Sequence, residues 1–166
     1  WRNNNLIRVG NYIPASYEQI PAGISELIAY LQTHPTIIGA SIFHIGLYAL
    51  HPFNNGNKRV CRILEHLILY NLGLNNKNLY SVSYYYHMEK PRYYKYLLYS
   101  LEHNNLNHFT AFNFEAIALS IIGVLKTAIE FERANFLERQ DLPITIKQTL
   151  KPLIKREETQ FKYLYQ

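Results

Sequence analysis

Apolar residues at helical spacing, cut into segments by proline, glycine and Asn-rich turns, constrain this chain more than any other feature. A repeat of three and four residues buries one stripe of a helix, whereas a half-buried strand needs strict alternation. Ile24, Leu27, Ile28 and Leu31 keep the helical spacing within residues 16–32, and Pro21 suits a first turn. Pro35 opens a second segment reaching Leu50, striped by Ile38, Ile42, Ile45 and Ala49. A third covers 58–72 and ends at Gly73, a C-terminal stop signal. Val60, Cys61, Ile63, Leu64, Leu67, Ile68 and Leu69 surround much of that third helix, which predicts a central, buried element. Further helices are expected over 92–102 and 112–139, with a last one starting near Pro143. Only Leu6-Ile7-Arg8-Val9 reads as β-prone, so the expectation is an all-α bundle with one small β-hairpin.

A chain of 166 residues with no internal repeat and no linker-like stretch is expected to form one domain. It opens on Trp1 rather than Met, as a trimmed or partial chain would. No basic stretch precedes an apolar run near the start, so a signal peptide is not expected. No uninterrupted run of about 18 apolar residues predicts a membrane span. The single cysteine, Cys61, excludes an intrachain disulfide framework and a Cys-rich zinc site. A soluble chain in a reducing compartment, the cytoplasm, is the plain reading. Lys and Arg outnumber Asp and Glu by 17 to 12, which favours an anionic partner. Lys147, Lys151, Lys155, Arg156 and Lys162 read as a basic, solvated helix face.

The polar break between the second and third helices holds the chemistry. The first N–H groups of a helix have no intrahelical partner, and the helix dipole adds partial positive charge there. Gly56 lets backbone approach a phosphate closely. Arg59 and Arg62, three apart, share a face and tilt toward the loop, and Lys58 adds a third cation. His51 stands at the opposite lip with a side chain suited to general-base work. Together these residues describe a phosphate cradle with a base beside it, although Asn-Gly-Asn alone is ordinary turn chemistry.

The whole string, His51-Pro52-Phe53-Asn54-Asn55-Gly56-Asn57-Lys58-Arg59-Val60-Cys61-Arg62, closely resembles the signature of the Fic (filamentation induced by cAMP) or Fido family, HPFx(D/E)GNGRxxR. His51, Pro52, Phe53, Gly56, Asn57, Arg59 and Arg62 match it, and His44 stands where many members carry a histidine. The stretch Ile7-Arg8-Val9-Gly10-Asn11-Tyr12 resembles the family's flap hairpin, and Pro91-Arg92-Tyr93-Tyr94 its later Tyr-containing helix. The resemblance spans about residues 6–119 and implies a Fic core there, with a C-terminal helical extension over about 120–166. It implies that His51 takes the proton of a Ser, Thr or Tyr hydroxyl on a target protein. Phe53 is expected buried as the loop's anchor. Asn54, Gly56, Asn57, Lys58 and Arg59 would meet the nucleotide's phosphates, while Arg62 would brace the loop or reach the outer phosphates. Arg8, Val9 and Gly10 would align a target segment, and Tyr94 would contact the nucleotide. The family's usual reaction is AMP transfer from ATP with Mg2+, an adenylyltransferase activity.

Two positions depart from the signature. Asn55 replaces the acidic residue that holds magnesium, leaving an uncharged oxygen as the metal contact. Lys58 replaces a second glycine, and the related Doc toxins, which transfer phosphate, also carry Asn-Lys-Arg here. The alternatives are therefore a Doc-like phosphotransferase and a nucleotide-binding pseudoenzyme. A nucleic-acid-binding helical domain would account for the charge, but not for the conjunction of His51, Gly56, Arg59 and Arg62. Family members are often restrained by a glutamate followed by Gly or Asn, and no Glu here has that neighbour. An inhibitory element is expected to be absent, divergent or supplied by a partner or segment outside this chain. Tyr84-Tyr85-Tyr86 and Tyr93-Tyr94 read as core aromatics or as a platform for adenine. Cys61 reads as an inert core residue, and Glu65 with His66 fits no metal pattern.

Overall fold

The computed structural model describes residues 1–139 and 141–155. A short 3-10 turn, Tyr17–Gln19, leads into α1 (Ile20–Thr33), α2 (Ile37–Leu50) and α3 (Asn57–Asn71). Four more helices follow: α4 (Val82–Met88), α5 (Lys90–His103), α6 (Asn107–Arg139) and α7 (Ile144–Lys155). The described residues contain no strand, so the all-α expectation holds.

Local chemistry accounts for the boundaries. Pro21 sits in the first turn of α1, where its missing N–H costs nothing. The Thr36 hydroxyl caps α2 by accepting from the Gly39 N–H at 3.0 Å. Gly73, at φ 76°, ends α3 in the left-handed region. Pro91 opens α5 earlier than the apolar pattern suggests, and Asn105 does the same for α6 by accepting from the Asn107 N–H at 3.1 Å. The sequence reading missed α4, whose three consecutive tyrosines carry weak helix propensity.

The central helix is α2, not α3 as the apolar pattern predicted. Phe43, His44, Ile45, Leu47 and Tyr48 of α2 are all buried, together with Ala40 and Ser41. In α3, Cys61 and Leu69 are inaccessible, but Ile63 is 66% and Leu67 51% exposed. Small residues explain the exchange. Gly46 lies so close to Leu27, and Gly23 to Leu50, that an added Cβ would press on either leucine. Both contacts lie between α1 and α2, so α1 can lie close against α2.

The expected hairpin is reduced to one turn. Val9 and Tyr12 exchange their N–H bonds at 3.0 and 3.1 Å around Gly10, whose φ is 59°. The next hydrogen-bonded pair in such a ladder would be Ile7 with Pro14, and Pro14 has no N–H to give. The β-prone run stops at a single bridge for that reason.

The chain divides into two compact units, Trp1–Ser120 and a second from Ile121 onward. The first has an aromatic core in which Tyr86, Tyr93, Phe109 and Phe112 are fully buried with His44. The second consists of the distal part of α6 and α7, with Ile122, Leu125, Ile129, Phe131 and Ile144 exposed. Among the described residues, one stretch, Asn107–Asn135 of α6, is long and apolar enough to cross a membrane by length and composition. Polar interruptions such as Asn113, Glu115 and Lys126 hid it from a search for uninterrupted runs. Its first turns place Phe109, Phe112, Ala116 and Ile117 in the core of the first unit. Of the basic tail, Lys147, Lys151 and Lys155 lie on α7, while Arg156 and Lys162 fall outside the described residues.

Candidate active site

The loop between α2 and α3 is held from within. His51 is the C-cap of α2 in the left-handed conformation, φ 47° and ψ 58°, and its N–H donates to the Leu47 carbonyl at 3.1 Å. Pro52 behind it is fully buried. Asn57, only 4% exposed, closes the loop with both ends of its amide. The Phe53 N–H donates to Asn57 Oδ1 at 2.9 Å, and Asn57 Nδ2 donates to the Phe53 carbonyl at 2.7 Å. Gly56 then turns into α3 at φ 84°, with no side chain capping that end. The first N–H groups of α3, on Asn57, Lys58 and Arg59, are thus left for an anion.

The three cations behave differently. Arg59 is exposed and makes no ion pair among the described residues, and its guanidinium lies beside Gly56. Lys58 donates to the Tyr94 hydroxyl and lies over the Tyr94 ring, 4.8 Å from its centre. Arg62 turns inward, 4.6 Å from the Tyr93 ring centre and 5.5 Å from that of Tyr86. Its Nε is buried with no hydrogen-bond partner.

The rings under Arg62 rest on a buried polar cluster. Glu65 Oε2 is 3.0 Å from His44 Nδ1, and its Oε1 accepts from the Tyr86 hydroxyl at 2.9 Å and from Asn113 Nδ2. The Tyr93 hydroxyl meets His44 Nε2 at 2.9 Å. Five helices, α2 to α6, each contribute a side chain. Burial drives the Tyr86 and Tyr93 hydroxyls well above the ordinary tyrosine range, so both stay protonated donors.

The His51 imidazole is half-buried against the edge of Tyr48, with ring centres 5.3 Å apart. Burial lowers its pKa, the contact with the Tyr48 carbonyl opposes this, and the nearby Arg2 charge lowers it further. At neutral pH the ring is therefore in its basic, proton-accepting form. The Tyr48 hydroxyl is pushed up to about 12, chiefly by burial and then by Tyr94. A neutral base stands at one lip of the loop, and an uncapped helix N-terminus flanked by cations stands at the other. Residues 1–69, from the N-terminal turn through most of α3, match the family model described as the Fic/DOC family. That N-terminal segment is similar to the Fic/DOC family. No curated protein and no solved structure matches the chain.

Within this matched segment the loop residues anticipated from sequence stand together, but several act differently from expectation. Asn57 uses its side chain on the loop itself, so only its N–H faces outward. Phe53 is half-buried rather than buried, stacked on Trp1 at 5.6 Å, and Pro52 fills the core position instead. Phe53 follows a left-handed turn that points the chain out of the core at His51. Tyr94 is engaged by Lys58. Asn54 is exposed at the loop tip. Arg8 is exposed, Val9 half-buried, and Gly10 sits against Leu98 of α5. Of the tyrosine cluster, Tyr86 is core and Tyr84 is 66% exposed.

Three residues that sequence reasoning passed over take central places. Tyr48 flanks the histidine, Glu65 anchors the buried cluster, and Arg2 binds the loop's carbonyls. Glu65 pairs with His44 across 21 positions and with Asn113 across 48, separations that leave no local signal. Cys61 is buried, and burial raises its thiol far above the range of a nucleophile.

The loop offers magnesium no carboxylate. The Asn55 side-chain oxygen accepts from the Gly56 N–H at 2.6 Å, and no residue from 51 to 62 is acidic. No group of three His, Cys, Asp or Glu side chains suited to a metal occurs among the described residues. Lys58, Arg59 and Arg62 are the positive charges this site supplies.

Proposed function

We propose that this Fic-like chain transfers AMP from ATP to a Ser, Thr or Tyr hydroxyl of a target protein. The family's general chemistry is the transfer of a nucleotide-derived group to proteins. The observation that carries the narrower reading is a neutral His51 and an uncapped α3 N-terminus at the two ends of one short loop. His51 takes the proton of the incoming hydroxyl as its oxygen attacks the α-phosphorus. The bond from that phosphorus to the bridging oxygen breaks, and pyrophosphate leaves with the electron pair. The N–H groups of Asn57 through Arg59 and the Arg59 guanidinium bind the phosphate oxygens, where negative charge builds. With no carboxylate in the loop, charge compensation rests on cationic side chains, and magnesium enters only as the nucleotide's own counterion.

Phosphate transfer from the γ position is the second reading, and Lys58 is the observation that favours it. Its bridge to Tyr94 fills space beside the cradle that a glycine would leave open. A nucleotide excluded from that space would present its outer phosphate to His51 instead. Incubation with extract proteins and either α- or γ-labelled ATP separates the two, with His51→Ala as control. AMP transfer predicts α label on protein that His51→Ala abolishes. Label from the γ position only establishes the second reading, and no label from either refutes both. Docking of the target along Arg8, Val9 and Gly10 is part of the same proposal, by main-chain bonds to the turn. A cytoplasmic location is proposed with it.

A further inference from the structure

Arg2 lies outside the motif, yet its side chain makes five hydrogen bonds and is only 2% exposed. Nε donates to the His51 carbonyl at 2.8 Å, and Nη2 donates to the carbonyls of Leu50, at 3.3 Å, and Ala15. Nη1 donates to the Asn4 carbonyl at 2.6 Å and to Asn5 Oδ1 at 3.1 Å. The Arg2 main-chain N–H donates to the Pro52 carbonyl at 2.8 Å. Three consecutive carbonyls, those of Leu50, His51 and Pro52, are therefore held by one residue. Leu50 ends α2 and His51 and Pro52 follow it, where carbonyls have no intrahelical partner.

The residue carrying the chemistry needs that support. His51 sits at φ 47°, a left-handed conformation that is strained for a residue with a Cβ. It persists only where the surroundings dictate it. A planar fork can serve several carbonyls at fixed angles, which a lysine ammonium on a flexible stem cannot.

We infer that Arg2 is a positioning residue for His51, clamping the carbonyls of Leu50, His51 and Pro52 so that the left-handed turn holds the imidazole beside Tyr48. The assignment rests on the reading of His51 as the general base. A second effect follows from charge. The C-terminal end of α2 favours a protonated imidazole, and the guanidinium occupies that end with a full positive charge. Around His51 stand Arg2 from the N-terminal segment and Tyr48 from α2. Behind Tyr48 stand Cys61 and Arg62 from α3 and Tyr94 from α5. None is a carboxylate, so removing Arg2 removes a cation that nothing else offsets.

Arg2→Gln, Arg2→Lys and wild type are compared for label transfer, thermal melting and titration of the His51 ring by NMR, its signal assigned through His51→Ala. The titration needs no activity, so failure of wild type to transfer label counts against the proposed function and leaves the Arg2 assignment testable. Arg2→Gln is expected to lose about a hundredfold in transfer, as small misplacements of a catalytic group do. Its His51 midpoint moves up. Arg2→Lys keeps the charge and loses the fork, so transfer falls by about tenfold while the midpoint stays at the wild-type value. Should Arg2→Gln not fold, Arg2→Lys decides alone. Wild-type transfer in a folded variant, or an unmoved His51 midpoint in a folded Arg2→Gln, overturns the inference.

Discussion

Replacing Glu65 by Ala removes the acceptor on which three buried donors converge: the Tyr86 hydroxyl, Asn113 Nδ2 and the His44 ring. His44, Tyr86 and Asn113 are inaccessible and Glu65 is 2% exposed, so water cannot take its place. Each buried donor left without an acceptor costs about 1–3 kcal/mol. Asn113 Nδ2 and the Tyr86 hydroxyl still pair with each other at 2.6 Å, which spares one of the three. Loss of side-chain volume adds to the two that remain, giving a destabilisation of about 4 kcal/mol. That is a large share of the roughly 5–15 kcal/mol by which domains are stable. Glu65→Gln should cost only about 1–2 kcal/mol. Its oxygen can still serve Tyr86 and Asn113, while its amide meets His44, which can offer a lone pair by exchanging tautomers. The assay is equilibrium urea unfolding followed by far-UV circular dichroism, with the slope checked for two-state behaviour. A Glu65→Ala protein within about 1 kcal/mol of wild type, or a Glu65→Gln protein as unstable as Glu65→Ala, would refute the reasoning.

Asn57→Ala removes both bonds that close the loop, a loss of about 2 kcal/mol, which lowers Tm by roughly 4–8 °C in scanning calorimetry. An unchanged Tm shows that the loop is held by other means. Because burial and Arg2 lower the His51 pKa, the transfer rate should stay flat through neutrality and fall at a midpoint below the ordinary imidazole value of about 6.5. The sign for stability is the same. As pH drops, the unfolded chain takes up this proton before the folded one does, so the fold weakens between the two pKa values. A pH–rate midpoint above that of free histidine contradicts the burial argument. Lys58→Gly frees Tyr94 and should raise α label relative to γ label on the order of tenfold, the effect of about 1.4 kcal/mol. An unchanged ratio removes Lys58 from nucleotide orientation.

The helices and their ends were legible because they depend on residues close in sequence. Thr36, Pro21, Gly73 and the apolar spacing each act within a few positions. Burial was less legible, since the apolar girdle of α3 does not say which neighbour covers it. The deciding feature lay between α1 and α2, where Gly23 and Gly46 admit the facing leucines closely. The hairpin failed because of Pro14, whose missing N–H matters only once a register is chosen. In the site, His51, Gly56 and Arg59 were readable from the motif, because a helix end and its flanking charges are local. Arg2 and Glu65 were not, since their side-chain partners lie up to 49 and 48 positions away. Such pairings exist only after the helices have assembled.

Asn55 and Lys58 are best understood as one electrostatic change rather than two. Replacing an acidic residue by Asn removes a negative charge from the loop, and replacing glycine by Lys adds a positive one. Both make the cradle more attractive to phosphate, and they act beside the same uncapped end of α3. An acidic side chain there would need a metal ion between itself and the nucleotide, because two anions repel at contact distance. Asn55 needs no such intermediary, and its oxygen is already satisfied by the Gly56 N–H. Lys58 is not free to approach phosphate without leaving Tyr94. Nucleotide binding therefore competes with the Lys58–Tyr94 bridge, and the affinity observed is the intrinsic affinity reduced by the fraction of molecules in which the bridge is closed. Tyr94→Phe removes the hydroxyl that Lys58 grips and leaves the cationic cradle whole. It should tighten ATP binding, measured by calorimetry without added magnesium, whereas weaker binding would make the Tyr94 hydroxyl a direct ligand of the nucleotide.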